Sequence, residues 1–186
     1  NKEIHDISVA IGVDPHGPDD NPNLSSLRYG KICFMADADV DGSHIEVLLT
    51  ALFYKHFPKL IDEGHVYIAV SPLFKVIVPK IGRQKERRIY CLDEAELNKT
   101  LEKLKKEKVP ESKIEISRFK GLGEMNEKEL KETSLDPETR RLLPLSLGGI
   151  SRELTTSAMN ILMAAKEAES RRRWIERHGD QFEPDI

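Results

Sequence analysis

The sequence predicts an α/β domain with a parallel sheet flanked by helices, followed by a small, mostly helical region, with the boundary between residues 117 and 118. Three features predict it. An apolar run at residues 32–35, a helical pattern from Ile45 and a second apolar run at 65–70 have the spacing of a strand–helix–strand unit. Such a unit makes its strands parallel, with a right-handed crossover. Further strand-like runs at 73–78, 90–92 and 114–116 follow. From Ser151 onward the pattern is helical only, with Leu154, Ala158, Ile161, Leu162 and Ala165 lining one face.

In chain order, Ile4, Ile7 and Ile11 mark a short amphipathic helix before Gly12. Residues 14–26, DPHGPDDNPNLSS, have turn and linker chemistry, and His5 and His16 read as solvated. After the first strand, Ile45, Leu48, Leu49 and Leu52 form one face of a helix that Pro58 ends or kinks. A further turn runs to Gly64. Residues 80–88, KIGRQKERR, form a basic loop or hairpin, for which solvation is the commoner role and phosphate contact the rarer one. Asp93 and Glu96 make a capping box for the helix carrying Leu97, Leu101 and Leu104. In RFKGLGEM, residues 118–125, two glycines flank Leu122 and two cations precede them. The backbone there can turn tightly and bring N–H groups and Lys120 to an anion, although most such glycines serve only the turn. Asn126 with Glu129 caps one helix, and Asp136-Pro137 starts another that bears Leu142 and Leu143. The run at 171–174, RRRW, reads as a helix C-terminal cap and solvated face.

Bulk composition narrows the function classes. With 33% charged residues, 6% aromatics and a net charge of -3, nucleic-acid binding has to be local. Cys33 and Cys91 form no C-x-x-C and sit at strand positions, which points to a reduced, intracellular protein without zinc or disulfide. No stretch approaches the roughly 20 apolar residues of a membrane span, and no signal-peptide pattern occurs. The chain opens on Asn1, directly in helical periodicity, and reads as a fragment.

The chemistry-bearing stretch is DADVDG, in which the first strand ends in Asp37, Asp39 and Asp41 followed by Gly42. If 37–41 stays extended, alternate side chains share one face about 6.5–7 Å apart while Ala38 and Val40 point away. Carboxylates that close repel unless a cation or basic partner sits among them. Mg²⁺ suits them: it takes carboxylate oxygens, keeps waters and shares its shell with phosphate, and two such ions about 3.5–4 Å apart can clamp a phosphoryl transfer. An EF-hand would need a bidentate glutamate at its twelfth position, where Leu48 stands. An aspartyl phosphatase would have Thr or Val where Asp41 stands, and an inert acidic turn is the third alternative.

DADVDGSHI, GHVYIAVSPLFKV, RFKGLGEMNEKEL and DPETRRL, in this order, resemble the C-terminal half of the B subunit of bacterial type IIA topoisomerases, the gyrase and topoisomerase IV group. The likeness covers nearly the whole chain. The segment between Val78 and Arg118 and the ending RRRWIERHGDQFE are more similar to the topoisomerase IV branch. The resemblance implies a Toprim fold and a part in ATP-dependent cleavage and religation of double-stranded DNA, serving decatenation, relaxation and chromosome segregation in the cytoplasm. It implies that Asp37 and Asp39 hold Mg²⁺, for which Mn²⁺ can substitute, with Asp37 shared between two metal positions. Asp41 would be a supporting acid, completing a catalytic set of Asp37, Asp39 and Asp41. His44 and Lys166 would contact DNA; Arg118 and Lys120 join them as backbone contacts on the physical grounds above. The implied partner is the A subunit, in an A2B2 heterotetramer. It carries the DNA-attacking tyrosine, a role for which Tyr29, Tyr54, Tyr67 and Tyr90 have no claim. ATP belongs to an upstream domain.

Two departures are visible. The family's E-G-D-S-A glutamate does not occur in this sequence, so one metal carboxylate is missing from it. Residues 144–154, PLSLGGISREL, carry glycines where relatives are more acidic. A stand-alone Toprim Mg²⁺ nuclease or primase-like enzyme, and a non-catalytic DNA-binding or assembly module, are the alternative functions.

Overall fold

A computed structural model of the chain describes residues 2–80 and 85–179. They fall into two compact units, Asn1–Leu145 and Ser146–Ile186.

The expected parallel pair organises the first unit. Strand β1, Ile32–Phe34, lies parallel to β2, Val66–Ala69, with Ile32 opposite Val66 and Phe34 opposite Ile68. The crossover consists of α2, Val40–His56, and α3, Pro58–Asp62, after an N-terminal α1 at Lys2–Ile11. Phe57 leaves helical backbone at φ -141° and ψ 44°, as the residue before a proline is forced to do. Phe34, Phe53, Phe57, Leu60, Ile61 and Val66 form the core here, with Phe34–Phe53 and Phe53–Phe57 ring centroids 5.0 and 5.1 Å apart.

On α2 the buried stripe is Leu49, Leu52 and Phe53, whereas Ile45 and Leu48, expected on that face, are 51% and 45% exposed. The cause is length. A 17-residue helix runs about 25 Å and a three-residue strand about 10 Å, so the first half of α2 reaches beyond the end of β1. His16 also departs from expectation. Its Nε2 accepts from the Lys59 N–H and its Nδ1 sits 2.9 Å from the Asp14 carbonyl, so the ring plugs the start of α3.

A third strand, β6 at Leu142–Pro144, joins β2 antiparallel. This corrects the helix expected after Asp136-Pro137. Asp136 does collect the N–H groups of Glu138, Thr139 and Arg140, but the turn stops there. Leu142 and Leu143 precede Pro144, which disfavours helix, and they pair with Ala69 and Ile68.

The second sheet is antiparallel. Strand β3, Phe74–Val78, lies between β4, Arg87–Cys91, and β5, Glu115–Arg118. Helix α4, Glu94–Lys106, covers it through Leu97 and Leu104, over a core of Phe74, Val76, Val78, Cys91 and Val109. Asp93 caps α4 as expected, but Glu96 accepts from the Leu92 N–H, so its return bond lands one residue before the cap. In the basic loop, Arg87 and Arg88 open β4 and pair with Glu107 and Glu86, while residues 81–84 lie outside the described residues. Asn126 and Glu129 form the expected capping box on α5, Glu127–Leu130, which continues as a π turn, Lys131–Leu135.

In the second unit, Ser151 caps α6, Arg152–Met163. The long helix expected from Ser151 to the 171–174 run breaks at Ala164 (φ -73°, ψ 133°), passes through a 3-10 turn, Ala165–Glu167, and resumes as α7, Ala168–His178. Arg171 donates to the Ile161 and Leu162 carbonyls at 3.0 and 2.6 Å, so the basic run caps the preceding helix and not its own. The motif RRRWIERHGDQFE lies outside the described residues from Asp180 on. No helix among the described residues is long and apolar enough to cross a membrane.

Candidate metal centre

Strand β1 delivers Asp37 past its carboxyl end, and the helix then begins at Val40, five residues before the expected start at Ile45. Asp39 is its N-cap, with Oδ1 accepting from the Gly42 N–H at 2.7 Å, and Asp41 falls in its first turn. The extended alternation expected for 37–41 is therefore absent, because an aspartate that can satisfy an open helix N–H favours the helix start. Even so, Asp37, Asp39 and Asp41 open onto one concavity of about 400 Å³, together with Met35, Gly42, Ile45 and Leu122. All three acids are exposed.

Two glycines crowd Asp37, one at its backbone and one at its carboxylate. A Cβ on Gly42 would lie 2.0 Å from the Asp37 carbonyl oxygen, so any side chain there would push α2 off the end of the strand. A Cβ on Gly121 would lie 2.8 Å from both Cγ and Oδ1 of Asp37. Gly121 has φ -174°, an extended angle open to any residue, so it is space that the position requires. Beside it, the Leu122 N–H donates to Asp37 Oδ1 at 2.7 Å. The glycine turn does present an N–H to an anion, and here that anion is the chain's own aspartate. The partnership of residues 37 and 122 is what the sequence did not announce; the paired glycines were its only signal.

Among the described residues none of the three carboxylates is ion-paired, and no three Asp, Glu, His or Cys side chains converge as metal ligands. Asp37 and Asp39 each commit Oδ1 to a backbone N–H. That donor set does not make an all-protein cage. It fits an ion such as Mg²⁺ that is held through one or two carboxylates and keeps waters and phosphate oxygens in its shell.

The remaining residues are more scattered. His44 is exposed within the second turn of α2. Arg118 ends β5 with its guanidinium 6.0 Å from the Phe74 ring centroid, and the Lys120 N–H donates to Glu124 at 2.8 Å. Lys166 belongs to the 3-10 turn of the other unit. Tyr90 donates its hydroxyl to Glu132, and burial followed by that carboxylate pushes it well above the phenol range, which makes it a poor nucleophile.

The family model described as DNA gyrase B subunit, carboxyl terminus, matches residues 111–176. Over 185 residues, 100% of this chain and 27% of the relative, the chain is 48% identical to the B subunit of DNA topoisomerase 4 from Escherichia coli (strain K12). It is 42% identical over 178 residues to the B subunit of DNA gyrase from Thermotoga maritima, covering 96% of this chain and 25% of that protein. Among solved structures it resembles the DNA-binding, cleavage and re-ligation domain of Plasmodium falciparum topoisomerase II. The TM-score is 0.68 at 27% identity, covering 94% of this chain and 22% of that one. The chain thus spans about a quarter of the length of the curated relatives it matches. Residues 111–176 thus match the carboxyl-terminal region of the gyrase B subunit, and along nearly its whole length the chain is similar to the B subunits of DNA topoisomerase 4 and DNA gyrase.

Proposed function

We propose that this chain is the Mg²⁺-binding Toprim part of the B subunit of a type IIA topoisomerase, of the topoisomerase IV kind. The observation that carries the proposal is the set of three unpaired carboxylates on one concavity, with Asp37 held between Gly42 and the 121–122 turn. Asp37 and Asp39 would hold Mg²⁺, or Mn²⁺ in its place, and Asp41 would keep the rim negative and hydrated. When bound, the ion supplies charge stabilisation to a reacting phosphate and its leaving oxygen. Residues 1–117 carry these acids, and 118–186 form the supporting C-terminal region. The phosphodiester would be attacked by a tyrosine of the A subunit within an A2B2 assembly in the cytoplasm, with ATP handled by another domain. His44, Arg118, Lys120 and Lys166 would touch the backbone of double-stranded DNA, positioning it without reading its sequence.

Because Asp39 is also a helix cap, Asp39→Ala mixes two effects, the cap alone being worth about 1 kcal/mol. Asp39→Asn keeps the cap and removes the charge. In the complete two-subunit enzyme it should abolish Mg²⁺-dependent relaxation and decatenation at an unchanged melting temperature. Wild-type turnover by that variant would remove Asp39 from the centre. The lack of a three-ligand cluster among the described residues favours one rival, a non-catalytic DNA-binding or assembly module. Calorimetric titration of the chain with Mg²⁺ separates the two, since the module predicts neither heat nor a rise in melting temperature.

A further inference from the structure

We infer that Lys75 is a positioning residue for Asp37, acting through the 120–125 turn that it clamps at both ends. The inference rests on the metal reading above. At the turn's entry, Phe119 is 5% exposed, its N–H donates to the Leu73 carbonyl at 2.8 Å, and the Lys75 ammonium lies 5.3 Å from its ring centroid. At the turn's exit, the Asn126 N–H donates to Glu129 Oε2 at 3.1 Å, while Glu129 Oε1 accepts from Lys75 Nζ at 2.7 Å. Glu129 itself is 4% exposed. One ammonium group on the central strand β3 therefore fixes the residues immediately before and after the turn.

Between those clamps the turn closes on itself. The Glu124 N–H donates to the Gly121 carbonyl, the Met125 N–H to that of Leu122, and the Lys120 N–H to the Glu124 carboxylate. Its outer point is the Leu122 N–H on Asp37 Oδ1, with Gly121 against the carboxylate carbon. A buried charge pair is directional in a way that an apolar contact is not, and it leaves an uncompensated charge if the turn shifts. Lys75 thus sets where the turn meets Asp37, and so which carboxylate oxygen stays available to an ion.

The test uses the 186-residue chain and the Lys75→Met variant, which keeps packing over Phe119 and drops the charge. Two readings are taken well below the melting temperature: the Leu122 amide proton shift without metal, and the Mn²⁺ dissociation constant by calorimetry. The expected result is an upfield move of the Leu122 amide and Mn²⁺ binding weaker by about tenfold, the scale on which groups that orient metal ligands act. Lys75→Arg, which keeps the charge, should restore both. Unchanged Mn²⁺ affinity in folded Lys75→Met, with only the melting temperature lowered, overturns the inference and leaves the pair a plain stability element. If Lys75→Met does not fold, Glu129→Gln takes the same two measurements. Should the wild-type chain bind no Mn²⁺, the metal reading fails by itself, and the Leu122 amide alone decides whether Lys75 positions the turn.

Discussion

A methyl group at Gly121 would sit 2.8 Å from the Asp37 carboxylate carbon, a contact that one of the two must yield. Asp37 is tethered by the Leu122 N–H, so Gly121→Ala should cost about 1–3 kcal/mol, as overpacking does, and shift the Leu122 amide; urea melts and an amide spectrum check both. Glu129 gives a pH prediction. Burial would raise its carboxyl, but the Lys75 and Asn126 hydrogen bonds and the charges of Lys75 and Arg88 hold it below the usual range. The folded state therefore favours the ionised form. Its stabilisation is complete above the unfolded carboxylate value of about 4.3 and is lost as pH falls through the lowered folded value. Glu129→Gln should accordingly destabilise the fold at pH 7 and progressively less below about pH 4, in urea melts across that range. The three aspartates were legible in the sequence because residue type and spacing carry their chemistry. The Leu122 N–H on Asp37 was not, because nothing local to either residue encodes a contact across 85 positions.

At the scale of elements, local signals held and distant pairings escaped. The caps at Asp93, Asn126 and Ser151 were readable because a side chain and an N–H two or three residues later suffice to make them. The parallel β1–β2 pair was readable because its crossover lies between its strands in sequence. Strand β6 passes for helix in the sequence because its partner β2 is about 75 residues upstream, in a chain where Leu142 and Leu143 fit either pattern. The break at Ala164 is held from outside by Arg171, which supplies donors to carbonyls at the end of α6. Arg171→Met should fray that last turn, with a loss of helical circular dichroism and faster exchange of the α6 C-terminal amides, at about 1–2 kcal/mol. Intact protection of those amides would show that the break needs no cap.

For the whole molecule, the net charge of -3 repels DNA at long range, so phosphate contacts have to come from a few placed cations. Arg118 and Lys120 stand around the 120–122 turn in the first unit and Lys166 in the second, which makes three cations for the proposed DNA path. Each neutralised phosphate releases counterions worth about 0.9 in the slope of log affinity against log salt. In the two-subunit enzyme proposed above, replacing all three with glutamine should make that slope shallower by about 3, with little change in preference among DNA sequences. A slope that does not move would take these three residues off the phosphates. The salt slope is the decisive measurement because it counts charges at the interface directly, whereas turnover would fall for any disturbance of the Asp37 centre and could not tell the two apart.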